Sequence, residues 1–358
     1  MNNKKKKKTK TVNIGKIKIG GGSPVAVQSM TNVDTKNIKA TVRQIKELEA
    51  AGCEIIRVAV PDLGSSQVLG KIKKEIKLPL VADIHFSGKI AIESLKQGVD
   101  KLRINPGNFP EKDLEKITEL AREKNVPIRI GVNAGSLEKK FLDRYGGPTA
   151  EAMVQSSLSS IKIMESYDFH NLVIALKASD IRKTVKAYKL LSEQVNYPLH
   201  LGITEAGTKF SGTIKSSIGI GSLLLEGIGD TIRISLSTDP VEEVKVAWEI
   251  LKSLELREKG MTIISCPTCA RASIDVTKLA PQIEKKFQNI KTPLKIAVMG
   301  CVVNGPGEAG EVDLGIIGAG KKIMFMRKGK KDRFVEKKDV MKELKKEVDD
   351  ITKNKSQD

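Results

Sequence analysis

Short apolar runs alternate with longer amphipathic stretches along most of this chain, starting near residue 24. The runs are rich in Val, Ile and Leu and are bounded by Gly, Pro, Asn or Asp, as is typical of strands in a sheet that is buried on both faces. The predicted strands are Val25–Met30, Glu54–Val60, Leu80–His85, Lys101–Asn105, Ile128–Asn133, Leu172–Lys177, Leu199–Thr204 and Thr231–Leu236. This alternation indicates a parallel sheet covered by helices.

The stretches between these strands carry helical signals. After the last strand, Asp239 can cap a helix that starts with Pro240, and Val244, Trp248 and Leu251 then recur on one helical face. Eight βα units in about 230 residues favour a TIM (β/α)8 barrel over a doubly wound sheet, which usually has fewer strands. We therefore predict an α/β protein with a barrel over residues 24–256, preceded by a basic segment over residues 1–23.

The pattern changes after residue 256, where a smaller α+β domain is predicted over residues 257–358. Its predicted strands are Met261–Ser265, Leu294–Met299, Val312–Ile317 and Lys322–Met326, and its predicted helices run from about Val276 to Phe287 and from about Glu336 onward. A pair of cysteines follows the first of these strands, and a glycine-rich loop follows the second.

The chain is basic, with 62 Lys and Arg residues against 43 Asp and Glu residues and a net charge of +19. Many lysines fall in the run Lys4–Lys8 and beyond Lys321, where we expect solvated, mobile tails. Aromatic residues make up 4% of the chain and no nucleic-acid-binding motif is present, so we predict no nucleic-acid partner. No apolar run approaches the roughly 18 residues of a membrane span, and the basic start lacks the apolar region that follows it in a signal peptide. We expect a cytoplasmic protein without membrane association.

Five of the eight barrel strands carry a cation, which is costly inside a buried sheet unless it is paired. These cations are Arg57, Arg103, Arg129, Lys177 and Arg233. Residues two or four positions further along a strand share its face, and there the chain has Asn105, Asn133, Ser179 and Ser235, while Asp83 and His85 form a similar pair. These sets lie at the carboxyl ends of strands, where TIM-barrel active sites are found. They predict a pocket for a small, multiply anionic ligand, although any single cation could instead reach the rim or pair with a carboxylate.

Two further barrel residues are candidates. Glu205 follows a strand end and precedes Ala206-Gly207, so it is either a proton donor on a tight loop or a loop or helix-capping carboxylate. His200 shares a strand face with Thr204 and is either a substrate contact or a hydrogen-bonded core histidine.

Three cysteines near the carboxyl end predict a metal centre. Cys266 and Cys269 form a CxxC pair, and Cys301 opens a loop that ends at Glu308. Three thiolates suit iron–sulfur or zinc, and a closed zinc site would need a fourth Cys or His, which the nearby sequence lacks. An iron–sulfur cluster would leave one iron for an oxygen ligand, for which Glu308 is the candidate.

Five segments resemble those of bacterial 4-hydroxy-3-methylbut-2-enyl diphosphate synthases, and the likeness extends over residues 12–320. The segments are Val81–Phe86, Leu102–Asn108, Arg129–Leu137, Leu201–Gly207 and Gly300–Glu308. The resemblance implies a TIM barrel with an iron–sulfur domain, a [4Fe–4S] cluster, and 2-C-methyl-D-erythritol 2,4-cyclodiphosphate as the substrate that is reductively opened. It also implies reduced flavodoxin or ferredoxin as electron donor, and a homodimer whose cluster domain covers the partner's barrel mouth.

The resemblance also suggests roles for the candidates. The barrel cations and their polar neighbours, with Asn304 from the glycine-rich loop, would bind the diphosphate, and Glu205 would transfer a proton. Cys266, Cys269, Cys301 and Glu308 would hold the cluster, with Glu308 yielding its place to substrate. Two other hypotheses stay open at this stage: a zinc-stabilised protein that binds phosphorylated sugars, and a basic nucleic-acid-binding protein.

Overall fold

Eight parallel strands form a barrel in the computed structural model, which describes residues 6–355. The strands are β3 (Ala26–Met30), β4 (Ile55–Ala59), β5 (Leu80–Asp83), β6 (Lys101–Ile104), β7 (Ile128–Asn133), β8 (Leu172–Lys177), β9 (His200–Leu201) and β10 (Thr231–Ile232). They are ordered β8-β7-β6-β5-β4-β3-β10-β9, and a parallel bridge between Ile174 and Leu199 links the two ends. The predicted TIM barrel is confirmed, and all eight strands lie where they were predicted, although β9 and β10 are shorter than the predicted Leu199–Thr204 and Thr231–Leu236.

Helices connect these strands. They are α1 (Ile38–Ala51), α2 (Leu63–Gln67), α3 (Leu69–Glu75), α4 (Gly88–Lys96), α5 (Glu111–Glu123), α6 (Lys139–Tyr145), α7 (Ala150–Ser166), α8 (Ile181–Gln194), α9 (Lys209–Leu225) and α10 (Pro240–Ser253), with 3-10 turns at Pro106–Asn108 and Ala134–Ser136. The start of α10 is as predicted, because the Asp239 side chain accepts a hydrogen bond from the Val241 amide and Pro240 occupies the first turn. Among residues 6–355, no helix has both the length and the apolar character needed to cross a bilayer.

A hairpin precedes the barrel, which the prediction of a basic segment over residues 1–23 did not include. It consists of β1 (Val12–Ile14) and β2 (Ile17–Ile19), paired antiparallel. Ile14 and Ile19 are fully buried and pack with Ile55, Val81 and Val173, which lie in the amino-terminal parts of barrel strands. The hairpin therefore covers the amino-terminal end of the barrel, opposite to the end where the candidate site residues lie.

The chain divides into two units between Arg257 and Glu258, and the second unit has its own sheet and core. Its strands are β11 (Met261–Ser265), β12 (Leu294–Met299), β13 (Leu314–Ala319), β14 (Lys322–Arg327) and β15 (Lys330–Glu336), and its helices are α11 (Val276–Phe287), α12 (Gly305–Glu308) and α13 (Val340–Asn354), with 3-10 turns at Ala309–Glu311 and Lys337–Asp339. β11, β12 and β13 are parallel, and β14 and β15 are antiparallel additions. This is the smaller α+β domain that the sequence predicted.

The expectation of a mobile, lysine-rich tail beyond Lys321 was wrong. That segment forms β14, β15 and α13, and its charges are paired: Arg327 and Arg333 both contact Glu347, whose side chain is 8% exposed. Val335, Leu344 and other apolar residues of the segment belong to the core of this unit. At the other end of the chain, Lys4 and Lys5 lie outside the described residues. The expectation of a mobile tail was also wrong for the next two lysines, because Lys6 pairs with the buried Asp230 and the Lys7 amide donates to the Gly227 carbonyl.

Candidate active site

Six cationic side chains meet inside the barrel. They are Arg57, Lys101, Arg103, Arg129, Lys177 and Arg233, of which the first five are at most 7% exposed. Burial, and after it the positive charges of neighbours including Arg57, lowers the pKa of each of the other five. The charge of Arg57 thus acts on all of them, as expected of groups that share one small interior.

Asp83 is the carboxylate in the middle of this cation cluster. Its Oδ1 lies 3.2 Å from Arg103 Nη1, and its Oδ2 lies 3.8 Å from Arg57 Nε. Burial would raise the pKa of Asp83, but the charges of Arg57, Arg103 and Arg129 outweigh it and lower this pKa to about 2. Asp83 is therefore ionised at neutral pH and offsets part of the positive charge.

Glu243, from α10, is a second buried carboxylate that was not among the predicted residues. Its Oε2 lies 3.6 Å from Arg233 Nη2, and its Oε1 accepts a hydrogen bond from the Leu236 amide at 2.8 Å. Burial raises the pKa of Glu243, against the charge of Arg233. Among residues 6–355, Asp83 and Glu243 are the carboxylates that form ion pairs with the cluster, so positive charge remains in excess.

Several donors in the barrel interior have no acceptor. Among the described residues, the Nε atoms of Arg103, Arg129 and Arg233 are buried and make no hydrogen bond. A buried donor without a partner costs about 1–3 kcal/mol, and more when it is charged. An anion with several oxygens would accept hydrogen bonds from these donors and would also balance the excess positive charge. The barrel interior is therefore suited to binding a polyanion.

Lys101 is a cation that the predicted set omitted. It is fully buried, and its Nζ donates to Gln28 Oε1 at 3.1 Å. Lys101 precedes Arg103 by two positions, so the period of two that identified the partners of Arg103 would also have placed Lys101 on the same face.

Two glycines make room for two of the cations. A Cβ on Gly131 would lie 2.6 Å from Arg103 Nε, and a Cβ on Gly202 would lie 2.8 Å from Lys177 Nζ. Real Cβ contacts are not this short, so a larger residue at either position would displace the cation beside it. The two glycines are therefore part of the arrangement of the site.

The predicted polar neighbours on β5 and β6 also lie at this end of the barrel. His85 is half exposed, and its ring nitrogens lie 2.8 and 3.1 Å from Arg103 Nη1. Burial, and then the charge of Arg103, lowers the pKa of His85. Asn105 is buried, and its Oδ1 accepts a hydrogen bond from the Gly107 amide, so part of its side chain is used to shape the loop.

The remaining polar candidates of the barrel are more exposed. Asn133 ends β7 beside Lys177, with which it pairs in register, and it is partly exposed. The Ser235 hydroxyl accepts a hydrogen bond from Arg233 Nη1 at 3.4 Å. Ser179 is exposed in the loop after β8.

Glu205 and His200 lie in different environments. Glu205 is exposed on the loop after β9 and has a φ of 52°, a left-handed conformation that is uncommon for residues other than glycine and that often marks functional loops. His200 is fully buried, and its two ring nitrogens contact Thr231 and Lys177.

In the second unit, the cysteines lie on loops at the carboxyl ends of neighbouring parallel strands. Cys266 follows β11 directly, and Cys301 follows β12 by two residues. The Gly300 amide donates to Cys266 Sγ at 3.2 Å, and a Cβ on Gly300 would lie 2.8 Å from Ala272 Cβ, so a glycine is needed for this close approach. Cys269 is exposed on the loop between them.

The environment of Cys301 favours the thiolate. Hydrogen bonds from the amides of Val303 and Asn304, together with Arg271, lower the pKa of Cys301 against a smaller opposing effect of burial. The thiolate is the form that binds a metal, so this donor set fits a thiolate-bound metal or cluster. Among residues 6–355, no three His, Cys, Asp or Glu side chains are grouped closely enough to form a metal site.

Glu308 and Asn304, the other candidates of this unit, bracket α12. Both side chains are exposed, and the Glu308 amide donates to the Asn304 carbonyl at 3.1 Å. Their roles in cluster and substrate binding stay predictions.

Comparisons with known proteins identify the family. A family model described as the GcpE TIM-barrel domain matches residues 9–248, and one described as the GcpE protein C-terminal domain matches residues 262–350. The chain belongs to the GcpE family. A relative from Caldanaerobacter subterraneus subsp. tengcongensis is 55% identical over 98% of this chain and 99% of its own length, and one from Thermodesulfovibrio yellowstonii is 55% identical over 96% and 99%. Both are named 4-hydroxy-3-methylbut-2-en-1-yl diphosphate synthase (flavodoxin), which confirms the family predicted from the sequence.

Solved structures show the same fold at low identity. A dihydropteroate synthase from Stenotrophomonas maltophilia has a TM-score of 0.51 and 12% identity, covering 68% of this chain and 98% of its own. A Yersinia pestis dihydropteroate synthase has a TM-score of 0.51 and 11% identity, with coverages of 69% and 100%. At this identity the likeness concerns the barrel fold alone.

Proposed function

We propose that this protein catalyses the reductive ring opening of 2-C-methyl-D-erythritol 2,4-cyclodiphosphate. The product is 4-hydroxy-3-methylbut-2-enyl diphosphate, an intermediate of isoprenoid biosynthesis by the non-mevalonate pathway. The reaction consumes two electrons together with protons, breaks a C–O bond of the ring and a neighbouring C–OH bond, releases the hydroxyl as water, and forms a C=C bond between the two carbons. The observation that carries this proposal is the cation cluster with its unpaired guanidinium donors, in a chain whose full-length relatives bear the name of this synthase.

The cation cluster binds the diphosphate. Arg103 and Arg129 present buried N–H groups without acceptors, and a guanidinium can bind two phosphate oxygens at once. Asp83 holds Arg57 and Arg103 in place before the substrate arrives. Because these side chains are buried, each charge–phosphate contact is stronger than it would be in solvent.

Glu205 transfers a proton to the opened substrate. Its side chain is exposed on the loop after β9. Its backbone has the left-handed conformation, which is unfavourable for a residue other than glycine and must be maintained by the surrounding loop. We expect Glu205→Gln to lower kcat and to leave KM for the cyclic diphosphate within about threefold, because the amide keeps the shape but carries no proton to donate.

A [4Fe–4S] cluster is the cofactor that we propose, bound by Cys266, Cys269 and Cys301 with Glu308 as the oxygen ligand of the fourth iron. The lowered pKa of Cys301 supports a thiolate there, and the Gly300 amide donates a hydrogen bond to the Cys266 sulfur. When bound, the cluster supplies the electrons and an iron that can accept an oxygen ligand. Reduced flavodoxin or ferredoxin is the electron donor that we propose, in agreement with the flavodoxin named for the relatives. Because free thiols persist in reducing compartments, we place the activity in the cytoplasm.

We also propose that the protein is a homodimer. Phe210, Ile214 and Ile218 recur every four residues on α9 and are 79%, 44% and 56% exposed. Exposed apolar residues in one stripe of a helix are typical of a protein interface. Ile218→Glu should therefore shift the molecular mass measured by light scattering from dimer to monomer, whereas Lys215→Glu on the same helix should not. A monomeric wild-type protein would contradict this proposal.

The proposed function is tested by anaerobic purification, iron and sulfide analysis, and turnover of the cyclic diphosphate with reduced flavodoxin. Cys301→Ser should lose iron and activity while the barrel stays folded. Cys53→Ser is the matched control, because Cys53 is buried in the barrel core and its thiol donates a hydrogen bond to the Ile55 carbonyl. The Cys53→Ser protein should keep its iron. Glu308→Cys should keep the cluster and change its resting iron spectrum. Zinc in place of iron in the wild type, or full turnover by Cys301→Ser, would overturn the proposal.

A further inference from the structure

His200 lies beside the cation cluster, where its ring contacts Lys177 and Thr231. Its Nδ1 lies 2.6 Å from Thr231 Oγ1, and its Nε2 lies 3.4 Å from Lys177 Nζ, a long hydrogen bond. The side chain has no exposed surface. Both ring nitrogens are therefore occupied by groups of the protein, and neither is available to a ligand.

The chemistry of the two partners determines where the ring proton lies. In its protonated form Lys177 has three donors and no acceptor, so it can bond the ring only through an unprotonated Nε2. Nδ1 then carries the proton and donates it to the Thr231 hydroxyl. Burial, and after it the charge of Arg129, lowers the pKa of His200 well below its ordinary value, in agreement with a neutral ring.

Gly202, two positions after His200, also affects where the Lys177 side chain lies. Gly202 lies on the same face as His200, and a Cβ there would be 2.8 Å from Lys177 Nζ and 2.8 Å from the Arg233 carbonyl oxygen. Lys177 thus receives a hydrogen-bond acceptor from His200 and free space from Gly202. The two positions together restrict where its ammonium group can lie.

We propose that His200 is a positioning residue for Lys177: a neutral imidazole, protonated on Nδ1, that accepts a hydrogen bond from the ammonium group and holds it toward the bound diphosphate. This replaces the direct substrate contact considered from the sequence. The effect on catalysis rests on the proposed function, whereas the protonation of His200 does not.

The first test is nitrogen NMR of the ligand-free protein. The chain has three histidines, and His85→Gln with His170→Gln leaves His200 as the single imidazole. We expect one neutral ring with a protonated Nδ1 and an unprotonated Nε2, unchanged between about pH 6 and 8. A ring protonated on Nε2, or on both nitrogens, would overturn the proposal.

The second test compares two substitutions at His200. The Gln side chain can place an amide oxygen where Nε2 was and so still accept from Lys177, whereas Asn reaches only the Nδ1 position and keeps the contact with Thr231. We expect His200→Gln to retain KM for the cyclic diphosphate, and His200→Asn to raise it about tenfold or more, which is the effect of losing one hydrogen bond to a charged group. The dissociation constant for inorganic diphosphate should likewise stay near the wild-type value in His200→Gln and rise in His200→Asn.

Thermal unfolding of both variants separates positioning from folding. Equal increases in KM in the two variants, or increases that follow their loss of stability, would show that His200 acts in folding alone and would overturn the proposal. If the wild-type protein does not turn over the cyclic diphosphate, the proposed function fails, and the NMR result with the inorganic diphosphate affinities still decides the role of His200.

Discussion

At the scale of single residues, Asp83 determines how much of the cation cluster is balanced before a ligand binds. Its pKa of about 2 in the folded protein lies below the ordinary 3.8, so its ionised form stabilises the fold. This contribution is fully present above about pH 4 and is lost as the pH falls through about 2.

We therefore expect Asp83→Asn to lower the free energy of unfolding by at least about 2 kcal/mol at pH 7 and by less at pH 3. Urea unfolding at the two pH values measures this difference. Asp143→Asn, at an exposed position of α6, is the control and should change stability by less than about 0.5 kcal/mol. A pH-independent loss in Asp83→Asn would contradict the role assigned to its charge.

Gly131 allows a second prediction, because its missing side chain leaves the space that Arg103 occupies. In Gly131→Ala the new methyl group would lie 2.6 Å from Arg103 Nε, and the flexible guanidinium would move away. We expect the affinity for the cyclic diphosphate, measured by calorimetry, to fall about tenfold with little change in melting temperature. Gly221→Ala on α9, where a Cβ would meet nothing within 4 Å, should bind normally.

Most of these residues could be predicted from periodicity, and the exceptions have physical reasons. Arg103 and Arg129 were identifiable because a cation in an apolar strand stands out against its neighbours. Lys101 carries the same signal but lies at the start of its strand, away from the carboxyl end where the site was expected. Glu243 lies on a helix, and no pattern along the chain shows that this helix places it beside Arg233.

At the scale of elements, the hairpin β1–β2 covers the amino-terminal end of the barrel, and substitutions in it measure how much it stabilises the barrel. Ile14 is fully buried against residues in the amino-terminal parts of barrel strands, while Asn13 beside it is exposed. We expect Ile14→Ala to lower the free energy of unfolding by about 2–4 kcal/mol, as in a hydrophobic core, and Asn13→Ala to change it by less than about 0.5 kcal/mol. Similar small effects of both, in urea unfolding, would mean that the hairpin does not stabilise the barrel.

Elements were predictable where burial imposes a pattern. The eight barrel strands have apolar runs because helices cover their outer faces. β1 and β2 alternate apolar and polar residues, but each has only three residues and both follow the lysine run Lys4–Lys8, so they were included in the basic segment. β15 (KKDRFVE) has a single buried residue, Val335, because it is an edge strand whose first three residues, all charged, are exposed. Such a strand has too little apolar sequence to be predicted.

At the scale of the whole molecule, the two units have separate cores and different chemistry. The barrel unit carries the cation cluster, and the second unit carries the three cysteines. A ligand stabilises the part of a protein that binds it, by about 2.7 kcal/mol at 100 times its dissociation constant. Ligands of the two units should therefore have separable effects on unfolding.

The single tryptophan allows the barrel to be followed alone, because Trp248 is buried in α10 and the second unit has no tryptophan. We expect saturating inorganic diphosphate to raise the midpoint of the thermal transition seen by Trp248 fluorescence by roughly 5–10 °C. Lys177→Met should abolish most of this increase, since it removes a buried cation, whereas Lys96→Met removes a charge from the exposed surface of α4 and should retain it. Sodium chloride at equal ionic strength should not reproduce the shift, because screening acts on exposed charges more than on buried ones. An equal shift in both variants would mean that diphosphate binds outside the cation cluster.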